Sequence, residues 1–310
     1  MGINCNSLAA LLYAKQCGAS FARTLMIGRQ ELHFSRKDLL SQAHQFGSHL
    51  DEETVERLFT EASGFAEPLF RWLGAGTVKS MDYSDFEGAE VIHDLNRPLP
   101  EAFSETFDFV FDGGSLEHVF NFPVALATCL RLTATGGHFM TVTPCNNHCG
   151  HGFYQFSPEL YFRVLGAGTG LELKDVILFL DGTRDRWYKV KDPQAVGRRV
   201  LLTNRQPTSM CAWARRVSAS PGDLVPYQSD YRSLWNEETS PVNAPASARM
   251  KAKAWVRAHV PGLLWRAAGA VKESLQHRLS ARYYERIRPS ELAGSRRSPS
   301  GNLHSGLPGA

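Results

Sequence analysis

The apolar positions of the first fifty residues change their period three times. Leu8, Leu11, Leu12 and Ala14 recur at helical spacing behind Asn6 or Ser7, either of which can cap a helix, and Gly18 can end it in a left-handed turn. The stretch RTLMIGRQELHF then carries a continuous apolar run, Thr24 to Ile27, that predicts a short buried strand closed by the single Gly28. Ser35 followed by Asp38 is a capping signature, and Leu39, Leu40 and Ala43 before Gly47 outline a second helix. Two more helical segments are expected between Asp51 and Leu73, the first with acids in its opening turn and the second starting at Glu67.

Further along, Thr77 to Met81 and Glu90 to Leu95 read as short strands about the turn-like YSDFEG, and FDFVFDGG as an apolar strand ending in two glycines. Pro123 opens an amphipathic helix through Leu132, Gly136 and Gly137 stop it, and HFMTVTP is the next strand. Ser157 caps PELYFRVLG, and the β-like runs LELKDVILFL and SMCAWARRV follow. Strands alternating with helices imply crossover connections, hence a doubly wound, mainly parallel α/β sheet covered on both faces, over residues 1–217. Past that point the turn-rich 218–247 reads as a linker, 248–290 as a basic amphipathic helical extension that Pro261 should kink, and 291–310 as a disordered tail.

Composition narrows the classes. A hydrophobic fraction of 43% and a charged fraction of 21% are those of an ordinary folded domain, and a net charge of +3 gives no reason to expect a nucleic-acid partner. Six scattered cysteines, no recognisable secretory signal and no run of apolar residues long enough for a membrane span favour reduced thiols and a cytoplasmic location. The extension, with Trp255, Val256, Val260, Leu263, Leu264 and Trp265 among many cations, suits a peripheral membrane surface, docking on the chain's own domain, or self-association.

In open α/β sheets ligands bind beyond the carboxyl ends of the strands, near the point where strand order reverses. Gly28, Asp82, Asp94 and then Asp112, Gly113, Gly114 and Ser115 follow the first four strands. The passages VKSMDYS, AEVIHDLNRPLP, FDFVFDGGSLEHVFN and LRLTATGGHFMTVTP, in that order and spacing, make residues 23–217 resemble the class I S-adenosylmethionine-dependent methyltransferases. The resemblance implies a seven-stranded Rossmann-like sheet with S-adenosyl-L-methionine as cofactor. Asp82, beside Tyr83, would accept the ribose hydroxyls; Asp94, beside Leu95, would face the adenine; and Asp112, Gly113, Gly114 and Ser115 would line the amino-acid end. Each has a plainer reading too: a turn-forming Asp82, a capping Asp94, a strand-ending glycine pair.

The chain departs from the family pattern in two places. Its first loop has one glycine followed by Arg29 and Gln30, so either Gly28 alone admits the cofactor while Arg29 or Gln30 binds its carboxylate, or the site is degenerate and the protein a non-catalytic binding or scaffold module. In addition, 54 residues separate Gly28 from Asp82, against ~20 in a plain unit, so the helices of 51–73 form a lid or a structural insertion. For transfer to a hydroxyl of a small molecule or glycan precursor, His118 and His151 are the candidate bases, each also readable as a loop-ordering histidine. PCNNHCGHGFYQFSPE would border the acceptor. Cys145, His148, Cys149 and His151 lack the two-arm spacing of a zinc site, so no metal is expected. Arg184, Arg186, Lys189, Arg198 and Arg199, around Trp187 and Tyr188, form either an anion-receiving loop or a solvated charged one.

Overall fold

In the computed structural model, residues 2–202, 204–218, 226–231, 255 and 281–294 are described. The N-terminal segment is a strand β1 (Gly2–Asn4) and a helix α1 (Cys5–Gln16). Asn4, not Asn6 or Ser7, is the cap: its Oδ1 accepts from the Asn6 and Ser7 N–H groups at 2.9 and 3.0 Å, adding a turn before the first apolar position. Next come β2 (Arg23–Ile27), β3 (Glu31–His33), α2 (Arg36–Gln45), α3 (Glu52–Thr60), α4 (Glu67–Leu73), β4 (Thr77–Asp82) and β5 (Val91–Ile92). The Ser35–Asp38 capping box at the head of α2 forms as expected. The second half holds β6 (Phe107–Asp112), α5 (Phe122–Leu132), β7 (Thr133–Asn146), α6 (Pro158–Val164), β8 (Leu171–Leu180), β9 (Trp187–Val190), β10 (Thr208–Arg216) and β11 (Tyr284–Ile287).

One sheet of nine strands runs β11-β9-β8-β10-β7-β6-β2-β4-β5, so the count exceeds the seven expected. From β7 to β5 every pairing is parallel, and the chain order across those five strands is the third-second-first-fourth-fifth of a doubly wound fold. Its reversal point lies between β2 and β6. The other half is antiparallel, β10 being inserted between β7 and β8, so "mainly parallel" holds only for the part that frames the cleft described below.

Alternation along each buried strand assigns the two layers. Met26, Phe109, Phe111 and Met140 face α1 to α4, while Leu25, Ile27, Val110 and Phe139 face α5 and α6. Val55 and Leu58 of α3 belong to the first of these clusters, so the 51–73 insertion is a packed layer of the fold. Gly136 and Gly137 do not stop a helix; they lie inside β7, where the pairing with β6 shifts by three residues between Phe107, opposite Thr133, and Phe109, opposite His138. A Cβ on Gly137 would stand 2.9 Å from the Asp108 carbonyl oxygen, so the bulge needs its glycine.

The segment around Trp187 is strand β9, not a loop. Trp187 is fully buried and its indole N–H donates to Asn6 Oδ1 at 2.8 Å. Arg184 pairs with Asp38 at 2.6 Å, Lys189 with Asp175, and Arg199 with Asp230 at 2.7 Å, so three of the cations read as either an anion-receiving or a solvated loop are paired with distant acids. Within 248–290, expected to be helical, Tyr284–Ile287 is instead β11, paired antiparallel with β9. Residues 289–294 then form one short helix where a disordered tail had been expected to begin. The linker and the rest of the basic extension lie almost wholly outside the described residues, and no helix among the described residues is long and apolar enough to cross a membrane.

His138 of β7 is buried, and its Nδ1 accepts the Trp213 indole N–H at 3.0 Å, which leaves the ring neutral with its proton on Nε2. Burial, reinforced by Arg215 and Lys174 and opposed by Glu172, lowers its pKa to about 4. The unfolded chain takes that proton near pH 6.5, so the contribution is complete above about 6.5 and is lost as pH falls toward 4, amounting to about 2 kcal/mol by pH 5. Urea unfolding at pH 7 and pH 5 should show His138→Gln losing about 2 kcal/mol less than the wild type over that interval; equal losses would show that His138 does not titrate this way.

Candidate functional site

At its C-terminal end β2 turns through Gly28 in a left-handed conformation, φ 69°, and the Gly28 N–H donates to the Met81 carbonyl of β4 at 2.8 Å. Asp82 closes β4, its Oδ1 accepting from the Tyr83 N–H at 2.6 Å. The His93 N–H donates to the Asp82 carbonyl at 2.8 Å, which carries the β5 ladder into the following loop and brings Asp94, Leu95 and Asn96 alongside. Asp94 is itself a turn cap: Oδ1 accepts from the Asn96 backbone and side-chain N–H groups at 2.9 and 3.0 Å, and these bonds, with Arg97 behind them, hold its carboxyl below the usual range.

Strand β6 ends at Asp112, which is wholly buried. Its Oδ1 accepts from the Ser115 and Leu116 N–H groups at 2.8 and 3.3 Å and its Oδ2 from the Thr141 hydroxyl at 2.6 Å; burial pushes its pKa up to about 6 against those bonds. The carboxylate ties the turn after β6 to β7 and so positions Ser115 and the short 3-10 helix Leu116–His118.

Gly28, Asp82, Tyr83, Asp94, Leu95 and Ser115, with His118 and His151, border one cleft of about 560 Å³ at the carboxyl ends of β2, β4 and β6. Gly113 and Gly114 border a smaller neighbouring pocket of about 310 Å³ together with Glu117, His148 and Asp181, and His151 is shared by both. Arg29, Gln30 and Asp112 border neither. The Arg29 side chain turns away, with Nε 2.6 Å from Glu67 Oε1, Nη1 2.6 Å from the Glu87 carbonyl oxygen and the guanidinium 4.1 Å over the Phe65 ring. Gln30 is fully buried, its Nε2 donating to the carbonyls of Ile27 and Gly28 at 2.7 and 3.3 Å and to Ser115 Oγ at 3.4 Å. A Cβ on Gly113 would collide with the Gln30 side chain. The glycine-poor loop is thus cross-tied by an amide where a glycine-rich loop would leave only backbone. The residues after it pair as β3 with β1 in a separate two-stranded sheet.

The junction of the two pockets is a cluster of titratable groups. Glu117 is 1% exposed, with Oε1 3.3 Å from His151 Nε2 and Oε2 without a partner. Burial, then the neighbouring Asp112, raise its pKa to about 8. The His118 ring lies 5.0 Å from that of His151, and burial lowers its pKa. His148 Nε2 is 2.9 Å from Asp181 Oδ2, and the Cys145 thiol is pushed up to about 12 by burial. The loop carrying His151 is laid on Glu117 by two bonds, Phe153 N–H at 2.8 Å and Tyr154 N–H at 3.3 Å to its carbonyl. Gly152, at φ 70°, permits the approach: a Cβ there would stand 2.8 Å from that same oxygen. Glu117 is the residue sequence reasoning passed over. An acid next to His118, just past a strand end at the sheet's ligand edge, was the available signal.

No protein-family model matches the chain, and no curated protein matches it in sequence. Among solved structures it is similar to the N-methyltransferase NodS from Bradyrhizobium japonicum WM9, at 10% identity over 68% of this chain and 94% of that one, with a TM-score of 0.36. It is also similar to a putative methyltransferase from Bacillus halodurans C-125, at 12% identity over 68% and 99%, TM-score 0.36. A third is the putative methyltransferase solved with the Trm112 methyltransferase activator of Haloferax volcanii, at 11% identity over 69% and 91%, TM-score 0.36. Likeness at this level assigns neither a family nor an activity; the Rossmann-like sheet stands on the strand order and pairing above.

Because Gln30 is the tie between the ends of β2 and β6, Gln30→Ala should cost about 1–3 kcal/mol in urea unfolding, through the lost buried bonds to the Ile27 and Gly28 carbonyls and the space left against Gly113. A change under about 0.5 kcal/mol would show that the tie contributes nothing.

Proposed function

We propose that the protein is a methyltransferase that uses S-adenosyl-L-methionine, with the adenosine held in the larger cleft and the acceptor in the smaller pocket. The observation that carries the reading is that Gly28, Asp82 and Asp94, from three successive parallel strands, border one cleft beside the reversal point of the sheet. The cleft's volume, about 560 Å³, is in the range of small-molecule sites. Asp82 spends one oxygen on Tyr83 and has the other for ribose hydroxyls. Asp94 serves mainly as a loop cap, so its part is to present Leu95 and Asn96 to the base as well as to offer its second oxygen. Arg29 takes no part, because its guanidinium is committed to Glu67 and Glu87.

The cofactor supplies a methyl group on a sulfonium: the acceptor oxygen's lone pair forms the new C–O bond as the S–C bond breaks, its electron pair staying on sulfur. The chain's own contribution is alignment, and a place for the acceptor's proton. His151 borders both pockets, and the His118 ring, on the larger cleft, lies 5.0 Å from it, within reach of an acceptor hydroxyl entering from the smaller pocket. The acceptor class is a small molecule or glycan precursor. A pocket of about 310 Å³ and a net charge of +3 support that class over a nucleic acid.

A second reading, a binding module that has lost the cofactor, is favoured by one observation: the Gln30 side chain fills the space against Gly113 that close backbone approach of a ligand would need. Titration calorimetry with S-adenosylmethionine and S-adenosylhomocysteine separates the two. The methyltransferase reading expects binding that Asp82→Ala weakens about 10–100-fold, the loss of hydrogen bonds to a charged acceptor. Arg29→Ala should leave the affinity within about threefold. Absent binding in the wild type, or equal affinity in Asp82→Ala, would favour the second reading.

A further inference from the structure

Glu117 poses a problem that the methyl-transfer reading leaves unsolved. Its carboxylate is withdrawn from water, has one oxygen without a partner, and lies near a second buried acid, Asp112. Among the described residues no lysine or arginine forms an ion pair with it. Buried carboxylates in proteins are paired, protonated or bound to a cation. Here the neighbours that could share a cation are two imidazoles. One atom each from Glu117, His118 and His151 lie within 4.8 Å of one another, close enough for a single ion at ordinary bond lengths of about 2.0–2.2 Å after a small inward movement of the rings.

We propose that Glu117, His118 and His151 are the three protein ligands of a divalent transition-metal site, of the zinc class, at the junction of the two pockets. The donor set decides the class of ion: two imidazole nitrogens and a carboxylate suit zinc, cobalt or ferrous iron better than magnesium or calcium, which prefer all-oxygen shells. The backbone already holds the set together. Glu117 and His118 are adjacent on the 3-10 helix anchored by Asp112, and the His151 loop is hydrogen-bonded to the Glu117 carbonyl over Gly152. Three protein ligands leave a further position for water or substrate, as in catalytic sites. His151 borders both the cleft and the smaller pocket, so the ligand an ion held there would take is an acceptor hydroxyl. A metal ion there lowers the pKa of the oxygen it binds. The two histidines would then hold the ion and would not themselves take the proton.

The inference concerns the same junction as the proposed function but does not rest on cofactor binding, and its test contains no S-adenosylmethionine. Full-length protein stripped with a chelator is titrated with Co²⁺ and followed by visible absorption. The expected result is one equivalent bound with tetrahedral-type bands, displaced by Zn²⁺, weakened at least about tenfold in the isosteric Glu117→Gln and in His151→Ala, and unchanged in His148→Ala. Absence of binding by the wild type would overturn the assignment, and so would a thiolate-to-cobalt charge-transfer band in the near ultraviolet, or affinity lost in His148→Ala but kept in Glu117→Gln. If the metal site fails while calorimetry still shows cofactor binding, the methyltransferase reading stands alone.

Discussion

The carboxylate of Asp112 has no exposure to solvent, yet it collects two backbone N–H groups from the turn after β6 and a threonine hydroxyl from β7. Such a group is tolerated in the core only because its acceptor capacity is satisfied. The consequence is positional. With Asp112 fixed, Ser115 is set to donate to the Ile27 carbonyl across the sheet at 2.5 Å, and Glu117 and His118 follow at one edge of the cleft. The floor of the larger cleft and the wall between the two pockets therefore share one origin.

Much of the architecture was legible because the physics behind it is local. The Ser35–Asp38 box, the LELKDVILFL strand and the helix opening at Glu67 are specified by neighbours within a few residues, and all three stand where the sequence places them. The acids after β4 and β5 could be placed on one edge of the sheet because parallel strands joined by crossovers present their carboxyl ends together. What stayed hidden depends on distant partners. Trp187 is a buried strand residue whose N–H is satisfied by the distant Asn6 and whose ring packs on Phe179, and Tyr284–Ile287 is a strand that pairs with the edge of β9. The cations of 184–199 read as a free charged loop because Asp38, Asp175 and Asp230 cannot be matched to them from the sequence.

The single-glycine loop has a physical answer of the same long-range kind. Arg29 is drawn outward by Glu67 at the head of α4, and Gln30 inward by the carbonyls at the end of β2. The inserted helices supply the first partner, which links the length of the insertion to the fate of the loop. Gly113, an apparent cofactor glycine, makes room for Gln30, while Gly28 keeps its place on the cleft wall.

The proposed adenosine site lies between Gly28, Asp82 and the loop of Asp94. A crystal structure of the protein grown with saturating S-adenosylhomocysteine tests it most directly. The predicted result is nucleoside density in the larger cleft with the ribose hydroxyls on the Asp82 carboxylate; a cleft without ligand, or a nucleoside bound away from Asp82, would contradict it.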